Sequence, residues 1–333
     1  MRIAVVGAGS WGTTVATLAA RNCPTILWAR RGEVADEVRS AHTNGTYLPG
    51  FALPPALEAT ASLEEAVQGA DVLVMAVTSQ GFRSVLDDLA PHVRPWVPVV
   101  SISKGLEQGT NKRMTQVVHD VLPGNPAGVL TGPNLAKEVM AGHPAAAVVA
   151  MADERVALSL QPVFATDAFR IYTNLDIVGC ELAGALKNVM AIAAGMVDGM
   201  GFGDNTKATM MTRGLAELTR LGVALGGDPF TFSGLAGMGD LVATCSSSQS
   251  RNHHVGAELG RGRSLDEVIA EMNMVAEGVK SSKVVCELGR ANGVEMPIAD
   301  EVHAVCHEGR SAAEALSNLM HRQLRAETHG MAP

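Results

Sequence analysis

Ile3-Ala4-Val5-Val6-Gly7-Ala8-Gly9-Ser10-Trp11-Gly12 decides how the chain begins to fold. Its four unbroken apolar residues form a strand buried on both faces, since a half-exposed strand alternates with polar residues. Gly7 bounds the strand, and Thr14–Arg21 reads as a helix with apolar positions on most faces. The run Gly7 to Gly12 therefore fits G-x-G-x-x-G in the required context, after a strand and into a helix. Gly7, Gly9 and Gly12 permit a tight turn and close backbone approach to a pyrophosphate, while the helix start offers N–H groups and a favourable dipole.

The pattern repeats outward from this start. Thr25–Trp28, Val72–Val77, Val97–Ile102 and Gly128–Thr131 read as further strands, with Ala145–Met151 and Phe169–Tyr172 added to the same sheet. Strand alternating with helix predicts an α/β class: a doubly wound parallel sheet covered by helices, with right-handed crossovers. From about Asp176 the character changes to long Ala-, Leu-, Met- and Glu-rich stretches without β-branched runs. Leu182–Met200, Thr206–Gly222, Ser264–Met272, Ser281–Asn292 and Ala299–His307 read as helices. The expected organisation is a dinucleotide-binding domain over residues 1–178 and an all-α domain over 179–333 that carries the substrate chemistry.

Composition narrows the function. With 333 residues, two domains are the default. Hydrophobic residues at 47% and charged residues at 18% give ample material for packed cores. A net charge of −8 argues against nucleic acid as the main partner, which calls for a basic face. Five cysteines, widely spaced and odd in number, contain no C-x-x-C pair, so they read as reduced thiols of a cytosolic protein. The first residues are too short an apolar run for a signal peptide. The longest apolar stretch, Leu182 to Val197, contains Lys187 and Asn188 and falls short of the roughly 20 residues of a membrane span.

Several positions carry chemistry. After the second strand come Arg30 and Arg31 rather than the acidic residue that holds the ribose hydroxyls of NAD. Two arginines suit a 2′-phosphate and predict NADP, although Glu33 and Asp36 nearby leave NAD open. Lys104 follows a strand of the sheet, where ligands bind, and is a candidate for holding an anion or polarising a carbonyl. Asn134 is expected to cap a helix over Leu135–Met140. Lys187 and Asn188 sit mid-helix in a stretch that is apolar all round; a buried ammonium needs a partner and is a candidate proton carrier. Asp240, the one carboxylate within a glycine-rich segment, supplies that partner and is expected to orient Lys187. Thr244 to His254 gathers hydroxyls, amides and Arg251 ahead of a helix, which suits a phosphate. Adjacent His253 and His254 face different directions and do not read as a metal pair.

Taken together, the chain resembles bacterial NAD(P)-dependent glycerol-3-phosphate dehydrogenase. The matching stretches are Gly7 to Thr13, Asn44-Gly45-Thr46-Tyr47-Leu48-Pro49, Ser103-Lys104-Gly105, Gly132-Pro133, Gly184 to Val189, Thr212 to Glu217, Gly237 to Leu241, Gln249 to Asn252 and Glu277-Gly278. The resemblance implies a Rossmann-type domain followed by a helical one, and hydride transfer between a nicotinamide and the C2 of sn-glycerol 3-phosphate or dihydroxyacetone phosphate. It implies Lys187 as proton carrier, aided by Asp240 and Lys104. Lys104, Gly132, Lys187, Asn188, Asp240, Ser250, Arg251 and Asn252 are expected at the substrate. Ser10, Trp11, Arg30, Arg31, Lys104, Ala136, Arg251, Val275 and Glu277 are expected at the cofactor. Service to glycerophospholipid synthesis and a homodimer are implied in the same way. Asn134 departs from the hydroxyl residue many members carry, and Thr78 from their proline. Two rivals are a related β-hydroxyacid dehydrogenase, disfavoured by Ser250-Arg251-Asn252, and a silent nucleotide sensor, which has no need of Lys187 and Asp240.

Overall fold

β1 (Ile3–Val6) is wholly buried, and its residues serve two cores in alternation. Ile3 and Val5 join one apolar cluster, Ala4 and Val6 the other, as the two-residue period of a strand requires. The computed structural model describes residues 1–272 and 276–327. The chain divides into two compact units, Met1–Ile177 and Val178–Pro333.

In the first unit β1 is followed by α1 (Ser10–Ala20), β2 (Thr25–Trp28), α2 (Gly32–Ala41), β3 (Leu57–Thr60), α3 (Leu63–Val67), β4 (Val72–Met75) and α4 (Phe82–Leu89). Then come β5 (Val99–Ser101), α5 (Met114–Val121), β6 (Ala127–Thr131), α6 (Ala136–Met140), β7 (Ala145–Met151), α7 (Glu154–Phe164) and β8 (Phe169–Asn174). Among the described residues these strands make one eight-stranded sheet in the order β3-β2-β1-β4-β5-β6-β7-β8. Side chains of α1, α2, α6 and α7 fill the cluster on one face, and those of α3, α4 and α5 fill the other. The fold is thus doubly wound α/β.

Two features depart from the sequence expectation. β3 pairs with β2 at the sheet edge, Leu57 beside Thr25 and Thr60 beside Trp28, yet its Leu-Glu-Ala-Thr carries no β-branched run and exposes Glu58. β7 runs antiparallel to β6, with Gly128 opposite Met151 and Thr131 opposite Val148.

The second unit is helical. α8 (Ile177–Gly199) begins at the unit boundary, followed by α9 (Asp204–Ala224), α10 (Pro229–Ser233), α11 (Asp240–Ser246) and α12 (Arg251–Gly260). α13 (Leu265–Glu271), α14 (Glu277–Ala291), α15 (Pro297–His307) and α16 (Ala312–Met320) complete it. α8 is long and apolar enough to cross a membrane, but 89% of its most apolar window is buried inside the protein. α8 and α12 cross at glycines. A Cβ on Gly195 would lie 2.0 Å from the His253 carbonyl oxygen, and one on Gly256 equally close, 2.0 Å, to that of Ile192. Only glycine permits this backbone contact. It seats the start of α12 against the helix that carries Lys187.

Candidate functional site

The parallel strands β1, β2, β5 and β6 direct a set of candidate residues to their carboxyl ends in the first unit. Gly7 leaves β1 with φ +123°, a conformation that excludes a side chain, and its N–H donates to the Trp28 carbonyl at 3.0 Å. A Cβ on Gly12 would lie 2.0 Å from the Gly7 carbonyl oxygen, so the turn closes only with glycine there. A Cβ on Gly9 meets nothing within 4 Å, which leaves an open face beside the loop. Gly9 is the N-cap of α1 and offers no side-chain cap, so the first N–H groups of an 11-residue helix face that opening. The Trp11 indole Nε1 is buried without a partner, and its ring stands edge-on to Phe169 at 6.3 Å. This unspent donor and the glycine cradle fit a dinucleotide.

Arg30 and Arg31 follow β2 and are exposed. The Arg31 guanidinium lies 5.2 Å from the centre of the Tyr47 ring, and its Nε is 3.5 Å from Glu33. After β5 the Lys104 Nζ donates to the Gly132 carbonyl oxygen at 2.9 Å, which ties the loops after β5 and β6 together. Ser103 anchors the same loop by donating to the Val77 carbonyl oxygen. Ala136 is the first residue of α6. Asn134 does not cap that helix. Leu135 is the N-cap, because the turn through Gly132 and Pro133 delays the first helical residue to Ala136. Both polar atoms of the Asn134 amide are buried without a partner.

In the second unit, Lys187 and Asp240 meet in a buried pair. Lys187 Nζ lies 2.5 Å from Asp240 Oδ1, with side chains 6% and 2% exposed. Sequence reasoning placed Thr244 only in a general polar run. It stands four residues after Asp240, on the same face of α11, and its hydroxyl accepts from Lys187 Nζ while donating to the Asp240 carbonyl oxygen at 2.6 Å. That i, i+4 spacing was the available signal. Asp240 opens α11 directly after a π-helical turn, Leu235–Gly239. Burial pushes the Cys245 thiol up to about 12, so it holds its proton beside this pair near neutral pH.

Asn188 follows Lys187 on α8 and is likewise buried. Ser250 is the N-cap of α12, its hydroxyl accepting from the His253 N–H, and Arg251 is the first, exposed residue of that helix. Asn252 is buried, and its Oδ1 accepts from the Gly278 N–H at 2.9 Å, beside Glu277 at the start of α14. The His253 ring Nε2 lies 2.8 Å from Asp198 near the end of α8. Val275 lies outside the described residues. Elsewhere in the unit Glu217 of α9 is 2% exposed and accepts from the N–H groups of Ile298 at 2.9 Å and Ala299 at 3.4 Å, capping α15. Burial pushes its carboxyl up to about 7, against the lowering effect of those two N–H donors.

Comparison with known proteins gives the same answer from both ends of the chain. Residues 2–157 match the model of the NAD-dependent glycerol-3-phosphate dehydrogenase N-terminus, and residues 176–317 that of its C-terminus. The chain is 57% identical over 329 residues to glycerol-3-phosphate dehydrogenase [NAD(P)+] 2 of Sphingopyxis alaskensis, covering 99% of each. It is 53% identical over 330 residues to the glycerol-3-phosphate dehydrogenase [NAD(P)+] of Mycobacterium avium, covering 99% of this chain and 97% of the relative. Among solved structures it is similar to the glycerol-3-phosphate dehydrogenase of Coxiella burnetii, with a TM-score of 0.91 and 35% identity over 96% of this chain and 99% of the other.

Proposed function

Because the chain belongs to the NAD-dependent glycerol-3-phosphate dehydrogenase family, we propose that it interconverts dihydroxyacetone phosphate and sn-glycerol 3-phosphate, with NADPH preferred and NADH usable. The observation that carries the chemistry is the buried Lys187–Asp240–Thr244 cluster. In this reading the first unit, Met1–Ile177, holds the dinucleotide, and the helical unit carries substrate binding and proton transfer.

A bound nicotinamide supplies hydride to the substrate C2 in reduction and receives it in oxidation. Lys187 Nζ gives its proton to the oxygen on C2 as the carbonyl becomes an alcohol, and takes it back in the reverse direction. Asp240 and Thr244 hold the ammonium in one direction and keep its charge compensated in a buried setting. Lys104 helps hold and polarise the substrate oxygen, with the Gly132 backbone beside it. Ser250, Arg251 and Asn252 gather at the N-terminus of the ten-residue α12, where an anion gains from the helix dipole and the guanidinium; they hold the phosphate, with Asn188 alongside. Gly7, Gly9, Ser10, Trp11 and Gly12 cradle the pyrophosphate end, with Ala136, Arg251, Val275 and Glu277 completing the cofactor contacts. Arg30 and Arg31 support the preference for a 2′-phosphate.

Supply of glycerol 3-phosphate to phospholipid synthesis, action in the cytosol and assembly as a homodimer belong to the same proposal. The five cysteines, four of them buried and none in a C-x-x-C pair, suit a reducing compartment. The test is consumption of NADPH by purified protein on adding dihydroxyacetone phosphate, repeated with Lys187→Met. That substitution keeps the packing volume, so NADPH affinity should hold while kcat falls about 10²–10⁴-fold, the usual worth of acid–base catalysis. A folded Lys187→Met protein that turns over at the parental rate shows that another group moves the proton.

A further inference from the structure

Asn44 is fully buried, and its side chain bonds to the glycine loop on one side and to its own segment on the other. Its Nδ2 donates to the Ala8 carbonyl oxygen and to the Thr13 Oγ1, both at 2.9 Å, and its Oδ1 accepts from the Tyr47 N–H at 3.2 Å. Ser10 answers by donating its hydroxyl to the Tyr47 carbonyl oxygen. The segment is itself pinned. Glu37 Oε1 accepts from the Gly45 N–H at 2.7 Å and the Thr43 hydroxyl at 2.8 Å, and the Leu48 N–H donates to the Asn44 carbonyl oxygen at 2.8 Å. The chain after α2 is thus laced to both sides of the loop that leaves β1.

The choice of acceptor matters. Ala8 lies between Gly7 and Gly9, where the backbone has more freedom than any other residue pair would allow. The peptide group is planar, so fixing the Ala8 carbonyl also fixes the direction of the Gly9 N–H across the same bond. Thr13 lies in the first turn of α1, so the second Nδ2 bond holds the helix start against the loop.

We propose that Asn44 is a positioning residue of the cofactor cradle: it orients the loop amides toward the dinucleotide and so sets cofactor affinity without touching the reacting atoms. This rests on the cofactor reading above. The experiment compares wild type with Asn44→Ala in three ways. Hydrogen exchange at the Gly9 to Thr13 amides is followed in the cofactor-free protein, NADPH binding by fluorescence titration, and steady-state kinetics with each substrate varied. Exchange should quicken, and Kd and KM for NADPH should rise about tenfold, the equivalent of ~1.4 kcal/mol. KM for dihydroxyacetone phosphate and kcat should stay within about twofold; a purely structural loss would lower the active fraction and kcat instead.

Unchanged NADPH affinity with unchanged exchange overturns the proposal. If Asn44→Ala does not fold, Thr13→Val keeps the volume and removes one of the two acceptors. It should weaken NADPH about threefold, a smaller share of the same hydrogen-bond energy, and parental affinity there overturns the proposal equally. A wild-type protein that binds no NADPH would refute the cofactor reading itself. The exchange comparison needs no cofactor and still decides whether Asn44 holds the loop.

Discussion

Replacing Asp240 with Asn keeps the shape of the side chain and removes one charge from the pair with Lys187, whose side chains are 6% and 2% exposed at 2.5 Å separation. Removing one partner of a buried ion pair costs about 3–5 kcal/mol, because the remaining charge is stranded. The protein has one escape, which is for the stranded ammonium to shed its proton. That route costs ~1.36 kcal/mol for each unit by which the solution lies below the ~10.4 of a free lysine. It caps the loss at about 4.6 kcal/mol at pH 7 and about 1.9 kcal/mol at pH 9 on the same scale. Asp240→Asn is therefore expected to be less stable than the parent by about 3–4.6 kcal/mol at pH 7 and by no more than about 1.9 kcal/mol at pH 9. The sign follows from proton binding: the unfolded chain keeps a proton that the folded variant has released, so raising the pH favours the fold. The double variant Lys187→Met with Asp240→Leu removes both charges and should lie within about 1.5 kcal/mol of the parent, although it is inactive. Urea unfolding of the three proteins at both pH values, with slopes compared, gives the numbers. A single variant as stable as the parent at pH 7, or a double variant as weak as the single, would refute the argument that this buried pair is held by charge compensation.

Two further outcomes follow from the geometry. Glu217, with its carboxyl raised from 4.5 to about 7, binds its proton more tightly folded than unfolded. Its contribution is therefore complete below pH 4.5 and is lost as the pH rises through about 7, a fall of about 3 kcal/mol. Glu217→Gln should remove that slope from a series of unfolding curves between pH 4.5 and 7.5; an unchanged slope places its origin elsewhere. Changing Arg30 and Arg31 together to Ala should raise KM for NADPH at least about tenfold, since one charge-assisted bond is worth ~1.5–3 kcal/mol, and leave KM for NADH within about threefold. Equal losses for both cofactors would remove the 2′-phosphate assignment.

The doubly wound sheet was legible because its central strands are short apolar runs buried on both faces, and Ile3–Val6 leads straight into the glycine turn. β3 was not, because an edge strand has one neighbour and needs no β-branched run; Leu57 and Ala59 face inward while Glu58 points to solvent. The direction of β7 was hidden too, since Ala145–Met151 reads alike run either way. Lys187 stood out as a charge in an apolar helix, and Asp240 as the lone carboxylate among glycines. Their pairing across 53 residues was legible from the need of a buried ammonium for a counter-charge, while the distance and the third member, Thr244, come from helix packing. Asn134 looked like a cap from its place before a helix, but a cap is defined by backbone geometry, and the Gly132–Pro133 turn moves the helix start past it. Asn44 carried no periodic signal at all. Unlike Lys187, it stands in no long apolar run that would mark it as buried, so its role is read from the partners it finds in three dimensions.

The glycine crossing of α8 and α12 also acts as a ruler. With backbone against backbone at Gly195 and Gly256, no side chain is present whose rotamer can lengthen or shorten the spacing between the two helices. Lys187 is carried on one, and the start of α12, the proposed phosphate site, on the other. Under the proposed function, the reach from the proton carrier to the phosphate is thereby set in rigid backbone rather than in adaptable side chains. A substrate longer or shorter by one carbon meets a gauge that has almost nothing soft to give.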